Sequence, residues 1–183
     1  FTEQSSQWNA DFEQLGLITD SVILDWDGDT LPDLAIAGEW MPIRIFRNTG
    51  NSFVEITNDL GLQNSRGLWN TLHVVDLNAD GRDDLVAGNL GLNSNFKTDE
   101  ENPLKLWIQD FENDGIPEQI LTRSYRSSDY PFVLKHDLLN QIPSLRDKYP
   151  DYSDYSDQTI SDLFSAEVLE TSNILQVDLL ESV

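Results

Sequence analysis

Asp25-Trp-Asp-Gly-Asp-Thr-Leu-Pro-Asp33 places four carboxylates at positions 1, 3, 5 and 9 of nine residues. Asp76-Leu-Asn-Ala-Asp-Gly-Arg-Asp-Asp84 and Asp110-Phe-Glu-Asn-Asp-Gly-Ile-Pro-Glu118 repeat that spacing of oxygen-bearing side chains. A hard cation such as Ca²⁺ needs about six to eight oxygen ligands, carboxylates and carbonyls among them, on a sharply turning backbone. The candidate ligands are Asp25, Asp27, Asp29 and Asp33 in the first loop and Asp76, Asn78, Asp80 and Asp84 in the second. In the third they are Asp110, Glu112, Asp114 and Glu118. Position 7, occupied by Leu31, Arg82 and Ile116, is expected to offer its backbone carbonyl. Gly28, Gly81 and Gly115 give each loop a residue that tolerates positive φ. A lone Asp-x-Asp-Gly also closes ordinary hairpins as an Asx-turn. Threefold repetition of four spaced oxygens favours the cation. Ca²⁺ is expected in the first two loops; Glu112 and Glu118, longer than the usual Asp, weaken the third site.

An EF-hand would need a bidentate Glu at position 12. That position holds Ile36, Ala87 and Leu121, so the EF-hand and its flanking helices are excluded, and a dockerin-like loop is disfavoured for the same reason. Short apolar runs flank each loop instead: Val22–Leu24 and Leu34–Ala37, Leu72–Val75 and Leu85–Ala87, Leu104–Ile108 and Ile120–Thr122. Such runs, bounded by turn residues, read as strands. Each motif is therefore a strand–loop–strand hairpin.

The loops begin at Asp25, Asp76 and Asp110, giving intervals of 51 and 34 residues. A period of ~40–50 residues with short strands points to propeller blades of about four strands. The first unit, about 20–57, has strands expected near 21–25, 33–38, 42–47 and 53–57. A second unit covers about 68–124 and a third about 125–183. The 34-residue interval is too short for a complete blade, so the third loop lies either in the outer hairpin of the same blade or in a reduced one. Phe132–Leu134 reads as a strand. A helical insertion is expected over about 137–165, with Asp137 as a cap and a break at Pro143. Its expected role is a structural cover; a partner site is the alternative. Asn173–Leu180 reads as a strand again. The fold class is thus all-β: one incomplete propeller domain of about three blades over 1–183, reading as part of a longer protein. Closed propellers use ~4–8 blades, and open sheet edges invite edge-to-edge association.

The loop followed by an apolar strand resembles the FG-GAP/VCBS repeat of integrin α-type propellers. Leu68-Trp-Asn-Thr-Leu-His-Val-Val-Asp-Leu-Asn-Ala-Asp-Gly81, with Val86-Ala-Gly-Asn-Leu-Gly-Leu-Asn-Ser94, is similar to the ASPIC/UnbV group related to cartilage acidic protein. Tyr130-Pro-Phe132, Asp137–Pro143 and Thr159–Phe164 fit the same group, and the resemblance runs from about Ser21 onward. It implies a seven-bladed, calcium-loaded propeller on a secreted or cell-surface protein, and supplies no catalytic residue.

The chain carries 33 acidic and 11 basic residues, a net charge of −22, and stays strongly acidic even with three divalent ions bound. Such a surface repels phosphate backbones and anionic lipid heads, so nucleic acid is not an expected partner. No apolar run of ~18 residues is present to span a membrane. With no cysteine, thiol catalysis and thiolate metal sites are excluded. Loops of modest calcium affinity stay filled where free calcium is high, so an extracellular, surface or periplasmic location is expected. His73 and His136 form no legible Ser-His-Asp grouping, and no enzymatic role is expected. Of Trp8, Trp26, Trp40, Trp69 and Trp107, most are expected to pack between blades; the Trp26 ring, inside the first loop, could be exposed, and exposed tryptophans stack on sugars or anchor partners. The expected function is a protein-interaction or adhesion module with structural calcium and a protein or glycan ligand. The alternative is a carbohydrate-binding or polysaccharide-degrading propeller.

Overall fold

The computed structural model describes residues 4–181. Phe1, where the sequence opens, and Val183, where it ends, lie outside them. The strands make two antiparallel sheets, the all-β, propeller-like class that the apolar runs predict. The chain divides into two compact units, one running up to Lys97 and including the segment from Leu179, the other Thr98–Asp178.

In the first unit, β1 (Leu17–Leu24), β2 (Asp33–Met41), β3 (Arg44–Asn48) and β4 (Phe53–Glu55) form an up-and-down meander, each pairing with the next. All four expected strands are present, with β1 starting earlier. The end of β2 also pairs with β5 (Gly67–Val75), which forms a hairpin with β6 (Asp84–Asn89). One extra residue bulges each hairpin at the same distance from its loop: Thr19 in β1 and Asn70 in β5. The bulge turns polar groups sideways. Thr19 Oγ1 donates to Trp69 O at 2.8 Å, and the Asp20 carboxylate accepts from Leu72 N at 2.8 Å and Thr71 Oγ1 at 3.0 Å. These bonds hold Asp20 below the usual carboxylate pKa, the Leu72 amide contributing most.

β2 is apolar at successive positions because it is covered on both faces. Ala35 and Ala37 pack with Trp69, Leu72 and Ala87, while Ile36 packs with Met41 and Phe46 under Phe12 and Leu15. Phe12 meets Phe46 edge-on at 4.9 Å, and Trp8 lies 5.8 Å from Phe53. The segment before β1, α1 (Ser5–Trp8) and a 3₁₀ turn (Ala10–Glu13), therefore covers one face of this meander. Nothing in its short, unpatterned sequence predicts that.

In the second unit, β7 (Leu104–Gln109), β8 (Glu118–Tyr125), β9 (Ser128–Pro131) and β10 (Asn173–Val177) make a sheet in the order β10-β7-β8-β9. The residues grouped as one blade over 68–124 are thus shared between two sheets, and β6 has no outer strands of its own among the described residues. The strand expected at Phe132–Leu134 lies earlier, at Ser128–Pro131. A two-residue hairpin turns at Arg126 and Ser127, with φ of 49° and 62°. This is the backbone of a primed turn without the Gly or Asn that advertises one.

α2 (Lys135–Gln141), a 3₁₀ turn at Pro143–Leu145, α3 (Tyr152–Tyr155), α4 (Ile160–Leu163) and α5 (Ala166–Glu170) form the helical segment. The break falls at Pro143 as expected. Asp137 is not the cap: α2 starts two residues earlier, leaving Asp137 in its first turn, where its charge still opposes the positive end of the helix. Leu138, Ile142, Leu145, Tyr149, Tyr155, Ile160 and Leu163 pack on Trp107 and Ile120. The helices are the other half of this sheet's core. Tyr155 donates to Val133 O at 2.8 Å, and burial pushes its pKa to about 12.

Candidate metal centres

Each nine-residue motif bridges one hairpin at the same register. Leu24 pairs with Asp33, Val75 with Asp84, and Gln109 with Glu118. Position 9 therefore opens the second strand, and its carboxylate points back across the loop. It accepts the position-2 N–H in all three: Trp26 N to Asp33 at 2.8 Å, Leu77 N to Asp84 at 2.9 Å, Phe111 N to Glu118 at 2.7 Å.

The remaining bonds repeat as well. The position-1 carboxylate accepts two N–H groups across the turn: Gly28 and Thr30 to Asp25, Asp80 and Gly81 to Asp76, Asp114 and Gly115 to Asp110. The position-5 carboxylate accepts the position-7 N–H, from Leu31, Arg82 and Ile116, at 2.8, 2.8 and 2.9 Å. Positions 4 and 6 take positive φ in every loop: Gly28 and Thr30, Ala79 and Gly81, Asn113 and Gly115. Glycine fills only one of the two places each time. Thr30, at φ 70°, is β-branched, a class of residue for which this region is strained.

This wiring turns the carboxylates toward one another. One oxygen from each of Asp25, Asp27 and Asp29 lies within 4.8 Å of the others, and the same holds for Asp110, Asp114 and Glu118. Ligands on opposite sides of a Ca²⁺ ion stand at most about 4.6–5.2 Å apart, since each Ca–O bond is about 2.3–2.6 Å. The spacing and the all-oxygen donor set fit a hard divalent cation. Without one, each pair of charges at that distance repels by about 0.9 kcal/mol even at the dielectric of water.

The loops are not equivalent. Asn78 stands where the first loop has Asp27, leaving the second with three acids; Asn78 Oδ1 accepts Asp80 N at 2.9 Å. Among the described residues, the close acid groups are in the first and third loops. In the third, Glu112 reaches outward to accept Ser144 N at 3.0 Å from the helical segment, so the longer side chain is diverted as its length suggested. Glu118, in contrast, is buried and keeps the place that Asp33 and Asp84 hold. Asp33 is fully buried, and its other oxygen accepts Asn48 N at 2.7 Å, tying the first loop to β3. Leu31 is half-buried; Arg82 and Ile116 are exposed.

The loop sequences do not foretell a recess of about 340 Å³ between the first and second loops, lined by Asp25, Trp26, Asp27 and Gly28 on one side and Gly81, Arg82 and Asp83 on the other. Asp83, outside the ligand pattern, belongs to it. Trp69 and Trp107 are buried as expected, whereas Trp8 and Trp26 are exposed. His73 and His136 are both exposed.

An FG-GAP-like repeat is detected at residues 25–87, from the first ligand position of the first loop into β6. Such a repeat supports a propeller-type interaction module in general. No curated protein and no solved structure matches the chain. The narrower ASPIC/UnbV grouping gains no support from these comparisons. Among the described residues no helix is long and apolar enough to cross a membrane.

Proposed function

We propose that this chain is a calcium-stabilised, propeller-type module that binds a protein partner outside the cytosol and carries out no chemistry of its own. The observation that carries the reading is the wiring common to the three loops, which in the first and third gathers acids that repel one another around a space of calcium dimensions. Asp25, Asp27, Asp29 and Asp33 would hold one ion, Asp110, Asp114 and Glu118 another, and Asp76, Asn78, Asp80 and Asp84 a weaker third. Bound Ca²⁺ would neutralise that repulsion, and its binding energy would add to folding stability. A module that depends on bound calcium suits a compartment where calcium is abundant. The test is calorimetric titration of the EDTA-stripped chain with CaCl₂, followed by thermal melts with CaCl₂ and with EDTA. Binding heat and a higher Tm in calcium are expected. No heat and coincident melts would sink the calcium assignment.

A further inference from the structure

We propose that Trp26 and the recess beside it receive an aromatic side chain of a partner protein, carried on a basic segment; this rests on the interaction-module reading above. The second unit supplies the precedent. Position 2 of its loop, Phe111, meets Phe164 with ring centroids 4.2 Å apart, and position 3, Glu112, accepts the main-chain N–H of Ser144. The helical segment thus docks on its own loop through one ring and one amide. The first loop offers the ring without the docked segment. Trp26 at position 2 is 38 % exposed, and no ring packs on it among the described residues. Asp27 at position 3, assigned above to the ion, is exposed and accepts the Asp29 amide of its own loop, at 3.2 Å.

The recess gives an incoming ring a place to sit. Trp26 lines it from the first loop, and Arg82 and Asp83 line it from the second. An aromatic ring stacks on indole, and aromatic anchors in pockets carry most of the energy of an interface. Charge selects what flanks that ring. The first loop holds four carboxylates, so a single dication leaves it anionic, and Asp83 adds a charge that no metal shares. Lysine or arginine beside the aromatic residue complements that wall. Leu77, the position-2 residue of the second loop, is exposed but does not line the recess.

The test uses the full ¹⁵N-labelled chain in CaCl₂. It is titrated with Ac-Arg-Phe-Phe-Lys-amide, with Ac-Arg-Ala-Ala-Lys-amide and with a neutral chito-oligosaccharide. The aromatic peptide is expected to shift the Trp26 indole N–H and the Gly28 and Gly81 amides. The alanine peptide should bind about tenfold or more weakly, the loss of a typical hot-spot contact. Trp26→Ala should abolish the difference between the peptides while keeping the calcium-binding heat. Asp83→Ser, outside the ligand pattern, should weaken both peptides. Equal shifts from both peptides, shifts from the oligosaccharide alone, or none from any probe would overturn the proposal. Intact calcium heat with a silent Trp26 refutes only this site, whereas lost calcium heat refutes the calcium reading it rests on.

Discussion

Asp27→Ala should change sign with calcium. In the metal-free chain, the Asp27 carboxylate lies within 4.8 Å of both Asp25 and Asp29 oxygens. Each pair costs about 0.9 kcal/mol in a water-like dielectric, so removing Asp27 relieves up to about 1.7 kcal/mol before salt screening. The substitution loses one long hydrogen bond, 3.2 Å to Asp29 N, worth about 0.5–1 kcal/mol. Asp27 is exposed, so no cavity forms. In EDTA and low salt the variant should therefore be as stable as the parent, or up to about 1 kcal/mol more so. In saturating CaCl₂ the balance reverses, because a ligand is missing. A hundredfold loss of affinity removes about 2.7 kcal/mol of ligand-linked stability. The assay is urea denaturation of both proteins in EDTA and across a CaCl₂ series. Equal destabilisation of Asp27→Ala in EDTA and in calcium would refute the reasoning, since Asp27 would then act only as a turn residue.

Asp33→Ala should behave differently. It deletes two charge-assisted bonds to a fully buried carboxylate and should cost about 2–4 kcal/mol even in EDTA, read by the same urea titration. Thr30→Gly should relieve about 1–2 kcal/mol of left-handed strain against about 0.5–1 kcal/mol of added unfolded-state freedom, a small rise in Tm. Gly28→Ala should lower Tm through backbone strain alone, because a Cβ there meets nothing within 4 Å. Asp20 and Glu55 both have lowered pKa values, Asp20 from the Leu72 amide first and Glu55 from Arg44 first. Their stabilisation is complete above the unfolded values of 3.8 and 4.5 and is lost as pH falls through the lower folded ones. Acid titration of the EDTA-treated chain should show that loss, and Asp20→Asn should flatten it. Ile142→Ala, at a fully buried helical position, should cost about 2–5 kcal/mol by denaturation if the helices are core rather than appendage.

The loops and the strands beside them were legible because their constraints are local. Asp25 to Asp33 must offer oxygens at fixed spacing, and Leu34–Ala37 must be apolar on both faces; both show in the letters. The grouping of strands was less legible. Whether β7 joins β6 or starts a new sheet depends on what covers each face, and Leu104–Ile108 looks alike in either case. The Arg126-Ser127 turn was hidden because neither residue advertises positive φ. The gathering of acids was less legible too. Sequence ranked the second loop above the third for keeping Asp and Asn, but Asn78 brings no charge, whereas Glu118 preserves the buried position-9 acceptor and the third loop gathers three acids.

The unit that repeats here is a hairpin with its loop, not a whole blade. β1–β2, β5–β6 and β7–β8 share register, loop wiring and the two positive-φ positions. The chain beyond each hairpin differs: β3 and β4 after the first, no outer strand among the described residues after the second, β9 and the helices after the third. The loop tolerates little change because so short a segment must satisfy its own N–H groups and aim carboxylates together. The outer positions tolerate much, since their task is only to cover apolar faces. Phe12 and Leu15 cover Phe46 as well as a strand could, and Leu138 and Ile142 do so for Trp107. The unequal intervals of 51 and 34 residues arise from that asymmetry: the hairpins recur along the chain, and the material between them is set by whatever each exposed face requires.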